Sequence, residues 1–236
     1  MEAQLFQLKV AAPTPAVIFY MDALLIRPEL SRMAAILAAH GYAVILPNLF
    51  YRSGTIAGIK PFEPGSIMSN PAERERLMGM VKSLKLAKVM EDTRACLDFL
   101  ATRPLIDAKT VGCVGYCMGG GMALTAAGTF PDVVKAAASF HGGSLATDQP
   151  DSPHLMAPKI RAKLHIGVAE LDAMFTPEQA ERLKQALTAA KLDFQYEVYP
   201  GVKHGFAVFD HSVYDPAMSD RHWERLAALF AKALMK

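Results

Sequence analysis

The sequence predicts an α/β fold, a mostly parallel central sheet covered by helices on both faces. Three observations predict it. Short, continuously apolar runs rich in β-branched residues recur along the chain, and longer runs with helical spacing separate them. No repeat, low-complexity tract or Pro/Gly/Ser-rich linker interrupts the 236 residues. Strands that alternate with helices need crossover connections and therefore run mostly parallel. Strands apolar on both sides are what a sheet buried on both faces requires. The length suits one such domain, residues 1–236.

The elements follow in order. Gln4 to Val10 alternates polar and apolar, as a half-buried edge strand does, and Ala16 to Tyr20 is a buried strand. Pro28 to His40 has helical spacing, with Pro near its start and Gly41 as its stop. Tyr42 to Leu46 is a second buried strand, and a Pro-, Gly- and Ser-bearing loop covers 47–69. Pro71 to Gly79 and Lys82 to Thr102 read as helices, the second with Cys96, Leu97, Phe99 and Leu100 on its inner stripe. Strands are expected at Thr110 to Gly115, Val134 to Phe140, Lys163 to Ala169 and Phe194 to Tyr199. Helices are expected at Met118 to Thr129, Pro177 to Ala190 and Pro216 to Met235.

Composition excludes several classes of function. A chain that is 52% apolar and 20% charged can bury a sizeable core and is not a disordered polyelectrolyte. Net charge is +2 with the two signs interspersed, so no basic face for nucleic acid is readable. Runs such as Ala16 to Met21 are too short to cross a bilayer, and the first ten residues do not read as a signal peptide. Cysteines at 96, 113 and 117 make a poor disulfide framework, so a reduced, cytoplasmic protein is expected, monomeric or a small homo-oligomer. No Cys or His cluster has metal-ligand spacing and no phosphate-binding glycine loop appears, so no cofactor is expected.

In open parallel sheets the reactive groups collect beyond the carboxyl ends of the strands. Four such loops carry them: Met21-Asp22-Ala23, Tyr116 to Gly121, Glu170-Leu171-Asp172, and Pro200 to Gly205. The second is the sharpest. Gly115-Tyr116-Cys117-Met118-Gly119 is a G-x-S-x-G nucleophile elbow with Cys for Ser, between a strand and a helix as that motif requires. The glycines permit the tight turn, and the helix N-terminus favours an anionic sulfur. The Met118 N–H is placed as an oxyanion donor. Cys113 and Cys96 read as inert core residues. His204, in a Gly-flanked loop after the last strand, is the candidate base. Asp172 is the candidate group that orients it, with Glu170 as a competitor that strand geometry does not separate. Nucleophile, acid, histidine is the chain order of α/β-hydrolases.

With these motifs in hand, the sequence resembles the dienelactone hydrolase family of the α/β-hydrolase fold, nearly end to end. The matching pieces are Tyr20-Met21-Asp22-Ala23, Gly41-Tyr42 and Leu46 to Arg52, Val114 to Gly120, Ala169 to Asp172, and Tyr199 to Phe206. The resemblance implies a Cys117–His204–Asp172 triad, with oxyanion donors on Met118 and in the Asp22-Ala23 turn, at Ala23. It also implies an acidic residue that tunes the resting thiol, for which Asp22 is the candidate; a turn-forming Asp is the alternative. The family's substrate carboxylate is held by two arginines. One position is occupied here by Val208, and the other falls near Arg74 or Arg76. His141, Arg52 and Tyr51 are further candidates to line the site, whereas His211, His222 and Trp223 look structural.

These residues imply hydrolysis of an ester or lactone through a thioester, with a small molecule as partner and neither nucleic acid nor membrane. The same triad would serve a thiol acyltransferase or thioesterase, which an added acceptor would reveal. A non-catalytic ligand-binding scaffold is the alternative from another class, and such scaffolds usually lose a triad member.

Overall fold

The computed structural model describes residues 1–235 except 64, 66 and 68, so those three positions of the 47–69 loop lie outside the described residues. Seven strands form one sheet in the order β1-β3-β2-β4-β5-β6-β7. They are β1 (Ala3–Phe6), β2 (Thr14–Tyr20), β3 (Ala43–Pro47), β4 (Ile106–Tyr116), β5 (Val134–Phe140), β6 (Lys163–Leu171) and β7 (Phe194–Lys203). Only β1 runs antiparallel, against β3. The helices are α1 (Pro28–Ala39), α2 (Pro71–Ser83), α3 (Leu86–Ala101), α4 (Met118–Thr129), α5 (Pro177–Ala189) and α6 (Pro216–Leu234). A 3-10 turn at Pro153–Lys159, unforeseen from the periodicity, packs between α4 and α5.

Consecutive residues of a strand point to opposite faces, and β4 shows which helices lie where. A Cβ on Gly112 would stand 2.8 Å from Leu234 and 3.0 Å from Phe230, both of α6. On the other face Tyr20 of β2 bonds Thr93 of α3 at 2.8 Å. The core runs through the sheet on both sides: Val17, Ile18, Phe19, Val114, Ala137 and Ile166 are wholly buried.

Boundaries moved where turn chemistry outweighed periodicity. The helix expected from Lys82 divides there: Lys82 and Ser83 end α2, and Leu84-Lys85 is extended before α3. Asn70 caps α2 by accepting from the Ala72 and Glu73 amides. Phe99, placed on the inner stripe of α3, is instead exposed, with the Arg103 guanidinium over its ring. β7 continues to Lys203, four residues beyond the expected end, because Leu171 pairs with Lys203 after a register shift in β6. That extension delivers the next residue, His204, to the sheet's carboxyl edge.

The strand order sets the place of the site. From β2 the chain steps outward to β3 and then crosses back to β4, so β2 and β4 are neighbours whose following loops diverge. Such a reversal leaves a crevice at the carboxyl ends of the two strands. Asp22-Ala23 follows β2 there, and Cys117 follows β4.

Candidate active site

Cys117 occupies a backbone conformation few side chains adopt, with φ 55° and ψ −122°. Its flanking glycines are steric requirements. A Cβ on Gly115 would lie 1.9 Å from the Gly119 carbonyl oxygen, and one on Gly119 would lie 2.5 Å from that of Tyr20. Strand β4, helix α4 and the end of β2 therefore meet backbone to backbone, and the sulfur stands up at the first turn of α4. Below it the Tyr116 hydroxyl donates to His222 Nε2 at 2.9 Å, while His222 Nδ1 donates to the Ser219 carbonyl at 2.6 Å. Burial holds His222 neutral, its pKa pushed down to about 3, which keeps that acceptor in place. The structural part foreseen for His222 is an anchor beneath the elbow.

His204 Nδ1 donates to Asp172 Oδ2 at 2.8 Å, and Asp172 Oδ1 accepts the Met174 amide at 2.8 Å. Glu170, the competitor, points elsewhere: its Oε2 accepts the Gly201 amide at 2.7 Å and latches the turn before His204. With Nδ1 committed, His204 offers Nε2, which is buried and makes no hydrogen bond among the described residues. Burial pulls the His204 pKa down. The negative charge of a Cys117 thiolate and the Asp172 carboxylate more than offset this, raising it to about 10. Cys117 and His204 line one cavity of about 650 Å³ together with Asp22, Ala23, Met118 and His211. The peptide N–H of Met118, first in its helix, has no intrahelical acceptor.

Burial raises the other two thiols, Cys96 to about 12 and Cys113 further, as their expected core positions require. All three cysteines are unpaired.

Other expectations need correction. His141 does not line the cavity. It is buried at φ 38° behind His204, its ring centroid 5.0 Å from that of His204 in an edge-to-face arrangement, and burial holds it neutral. Asp22 lines the cavity, but its oxygens are engaged by other groups. One oxygen caps the Leu24 amide at 2.9 Å, and both oxygens receive Arg27, at 2.8 and 2.9 Å. Burial opposes its ionisation, but His211 and Arg27 keep its carboxyl below the ordinary range. Arg52 is bound by Asp92 through contacts of 2.7 and 3.0 Å and does not reach the cavity. Arg74 is absent from the lining too, its Nε directed to the Ile67 carbonyl, and Arg76 stacks 3.7 Å over the Phe62 ring. Tyr51 donates to Asp92. Val208 is wholly buried and is not among the described residues that line the cavity.

Two contributors escaped the sequence. Arg27 reads as an ordinary charge before a helix but is buried between Asp22 and Asp210. His211, foreseen as structural, lines the cavity with Nε2 3.4 Å from Asp22 Oδ2. The signal for both was Asp22, an acidic residue at the crevice that needed hydrogen-bond donors from somewhere.

A seven-stranded, mostly parallel sheet with an elbow at its reversal point, and a carboxylate-backed histidine at the next edge, is that of an α/β-hydrolase. The chain is 25% identical over 223 residues to a Synechocystis sp. protein provisionally named carboxymethylenebutenolidase, covering 93% of this chain and 87% of that one. It is 27% identical over 186 residues, 78% of each chain, to "Protein usf" of Aquifex pyrophilus. In fold it matches a Klebsiella pneumoniae structure provisionally named dienelactone hydrolase, with a TM-score of 0.82, 23% identity and coverage of 97% and 92%. The dienelactone hydrolase family model matches residues 1–234. The chain belongs to that family and is an ester or lactone hydrolase of it.

Proposed function

We propose that the chain hydrolyses an activated carboxylic ester or lactone through Cys117, His204 and Asp172, by way of a thioester. The observation that carries this is the buried, uncommitted Nε2 of His204, whose other nitrogen Asp172 holds, in the cavity that Cys117 lines. The Cys117 thiolate attacks the ester carbonyl, and the oxyanion forms beside the Met118 and Ala23 N–H groups. His204, as imidazolium, gives its Nε2 proton to the departing oxygen. Thioester formation removes the sulfur's charge, the largest of the influences that raise the His204 pKa. The ring thus becomes a neutral base at the moment a water must be deprotonated. Water then attacks the thioester, the acid leaves, and thiolate and imidazolium are restored.

A thiolate is itself a good leaving group, its conjugate acid having a pKa of about 8.5 in a free thiol. A simple alkoxide therefore competes poorly for expulsion, whereas an enolate or phenolate, with a conjugate acid of pKa about 10, competes on nearly equal terms. This favours enol lactones and aryl esters. The three unpaired thiols support a reduced, cytoplasmic setting, and among the described residues no helix is long and apolar enough to cross a membrane. We infer no partner beyond the small substrate and, at most, further copies of the chain.

The test is acid quenching during p-nitrophenyl acetate turnover, followed by peptide mapping. An acetyl group on the Cys117 peptide is expected. An adduct elsewhere, or turnover undiminished in Cys117→Ala, overturns the mechanism.

A further inference from the structure

Resting on the proposed hydrolase reading, we infer that the substrate is electrically neutral and carries an apolar group several carbons long. Among the described residues that line the cavity, none is Lys or Arg. The charged side chains there are the carboxylates of Asp22 and Asp151, beside His204 and His211. His204, when protonated, already faces the Cys117 thiolate.

The guanidinium that holds the cavity's Asp22 is spent. All five N–H donors of Arg27 are engaged: Nε and one Nη2 proton by Asp210 (2.6 and 2.9 Å), the other Nη2 proton by Asp22 (2.9 Å), and the two Nη1 protons by Asp22 (2.8 Å) and the Leu25 carbonyl (3.3 Å). Arg27 cannot turn to a ligand without stranding a buried carboxylate. Val208 adds no charge. A substrate carboxylate would therefore lose its hydration beside Asp22 and Asp151 with no Lys or Arg to receive it, which is unfavourable.

The remaining wall is hydrocarbon. Leu77, Met78 and Val81 of α2, with Leu84, Leu86 and Val89, face the elbow across a space large enough for a ligand well beyond an acetyl ester. Each methylene buried there should raise kcat/KM about fourfold until the space is filled.

The experiment uses p-nitrophenyl acetate, butyrate and hexanoate, then mono-p-nitrophenyl glutarate against its methyl ester. The same acid and methyl ester are titrated calorimetrically into Cys117→Ala, which reads binding without turnover. Rising kcat/KM with chain length, and a preference of about tenfold or more for the methyl ester in both turnover and binding, are expected. Met78→Arg and Met174→Arg, at two half-exposed lining positions, should each shift the ratio toward the acid. A flat chain-length series, preference for the acid, or an unchanged ratio in both Arg variants overturns the inference. Absence of turnover on every ester, with selective binding of the methyl ester to Cys117→Ala, would reject the hydrolase mechanism and leave the neutral ligand standing.

Discussion

His204 Nδ1 donates to Asp172 Oδ2 across 2.8 Å, while Glu170, two residues earlier on the same strand end, is bound to the Gly201 amide. The two carboxylates look alike in sequence and differ in what they hold. Asp172→Asn should lower kcat by two to four orders of magnitude, as orienting-acid substitutions do, with the far-ultraviolet circular dichroism unchanged. Glu170→Gln should cost less than about tenfold, through a looser turn. Steady-state kinetics on an aryl ester would decide, and the reverse ranking would move the role to Glu170.

Cys117→Ala should abolish turnover, whereas Cys96→Ala and Cys113→Ala should retain it within several-fold. The latter two should instead lower the melting temperature, since each removes a buried sulfur and leaves a small void. Loss of activity in folded Cys113→Ala would contradict the assignment.

The pH dependence has a definite sign. The His204 pKa lies above its ordinary 6.5, at about 10. Its contribution to stability is therefore complete below about 6.5 and is lost as pH climbs toward 10. In Cys117→Ala the largest upward influence is gone, so the urea midpoint should fall less between pH 7 and 10 than in wild type. The His204 ring resonances should titrate near 10 in wild type and well below that in the variant. Identical titrations would show that no thiolate acts on His204.

Gly115→Ala and Gly119→Ala should each prevent accumulation of folded protein, because the added Cβ meets backbone that cannot give. Gly79→Ala, on α2 with nothing within 4 Å of its Cβ position, should be neutral or slightly stabilising. Soluble expression and melting temperature for the three variants provide the check.

Arg27→Leu should destabilise by about 3–5 kcal/mol, since it leaves Asp22 charged and buried. Asp210→Asn, whose side chain is 30% exposed, should cost under about 1 kcal/mol. Urea denaturation would rank them.

What was legible in the sequence was what local backbone chemistry dictates. Val134 to Phe140 and Met118 to Thr129 were bounded to the residue, since apolar runs and the elbow fix them. The division at Leu84-Lys85 escaped because helical spacing continues on both sides of it. In the site, motif spacing pointed to Cys117, Asp172 and His204, the residues of the proposed mechanism. Strand geometry could not tell Glu170 from Asp172, because both carboxylates reach the end of β7, one to the Gly201 amide and the other to His204. His141 and Arg52 lie at loop positions that suit a ligand, yet packing against the His204 ring and the carboxylate of Asp92 claim them. Arg27 and His211 were missed because their partners, Asp210 and Asp22, are brought to them only by the tertiary fold.

The order of the last four strands has a consequence for the protein during its synthesis. From β4 outward, β5, β6 and β7 lie in the sheet in the order in which a ribosome delivers them. The elbow is therefore complete when roughly half the chain has emerged, while the histidine arrives only behind the outermost strand. On the proposed mechanism, the nascent chain would hold the Cys117 sulfur without its proton acceptor for that interval. Reactivity toward esters would then begin with the docking of an edge.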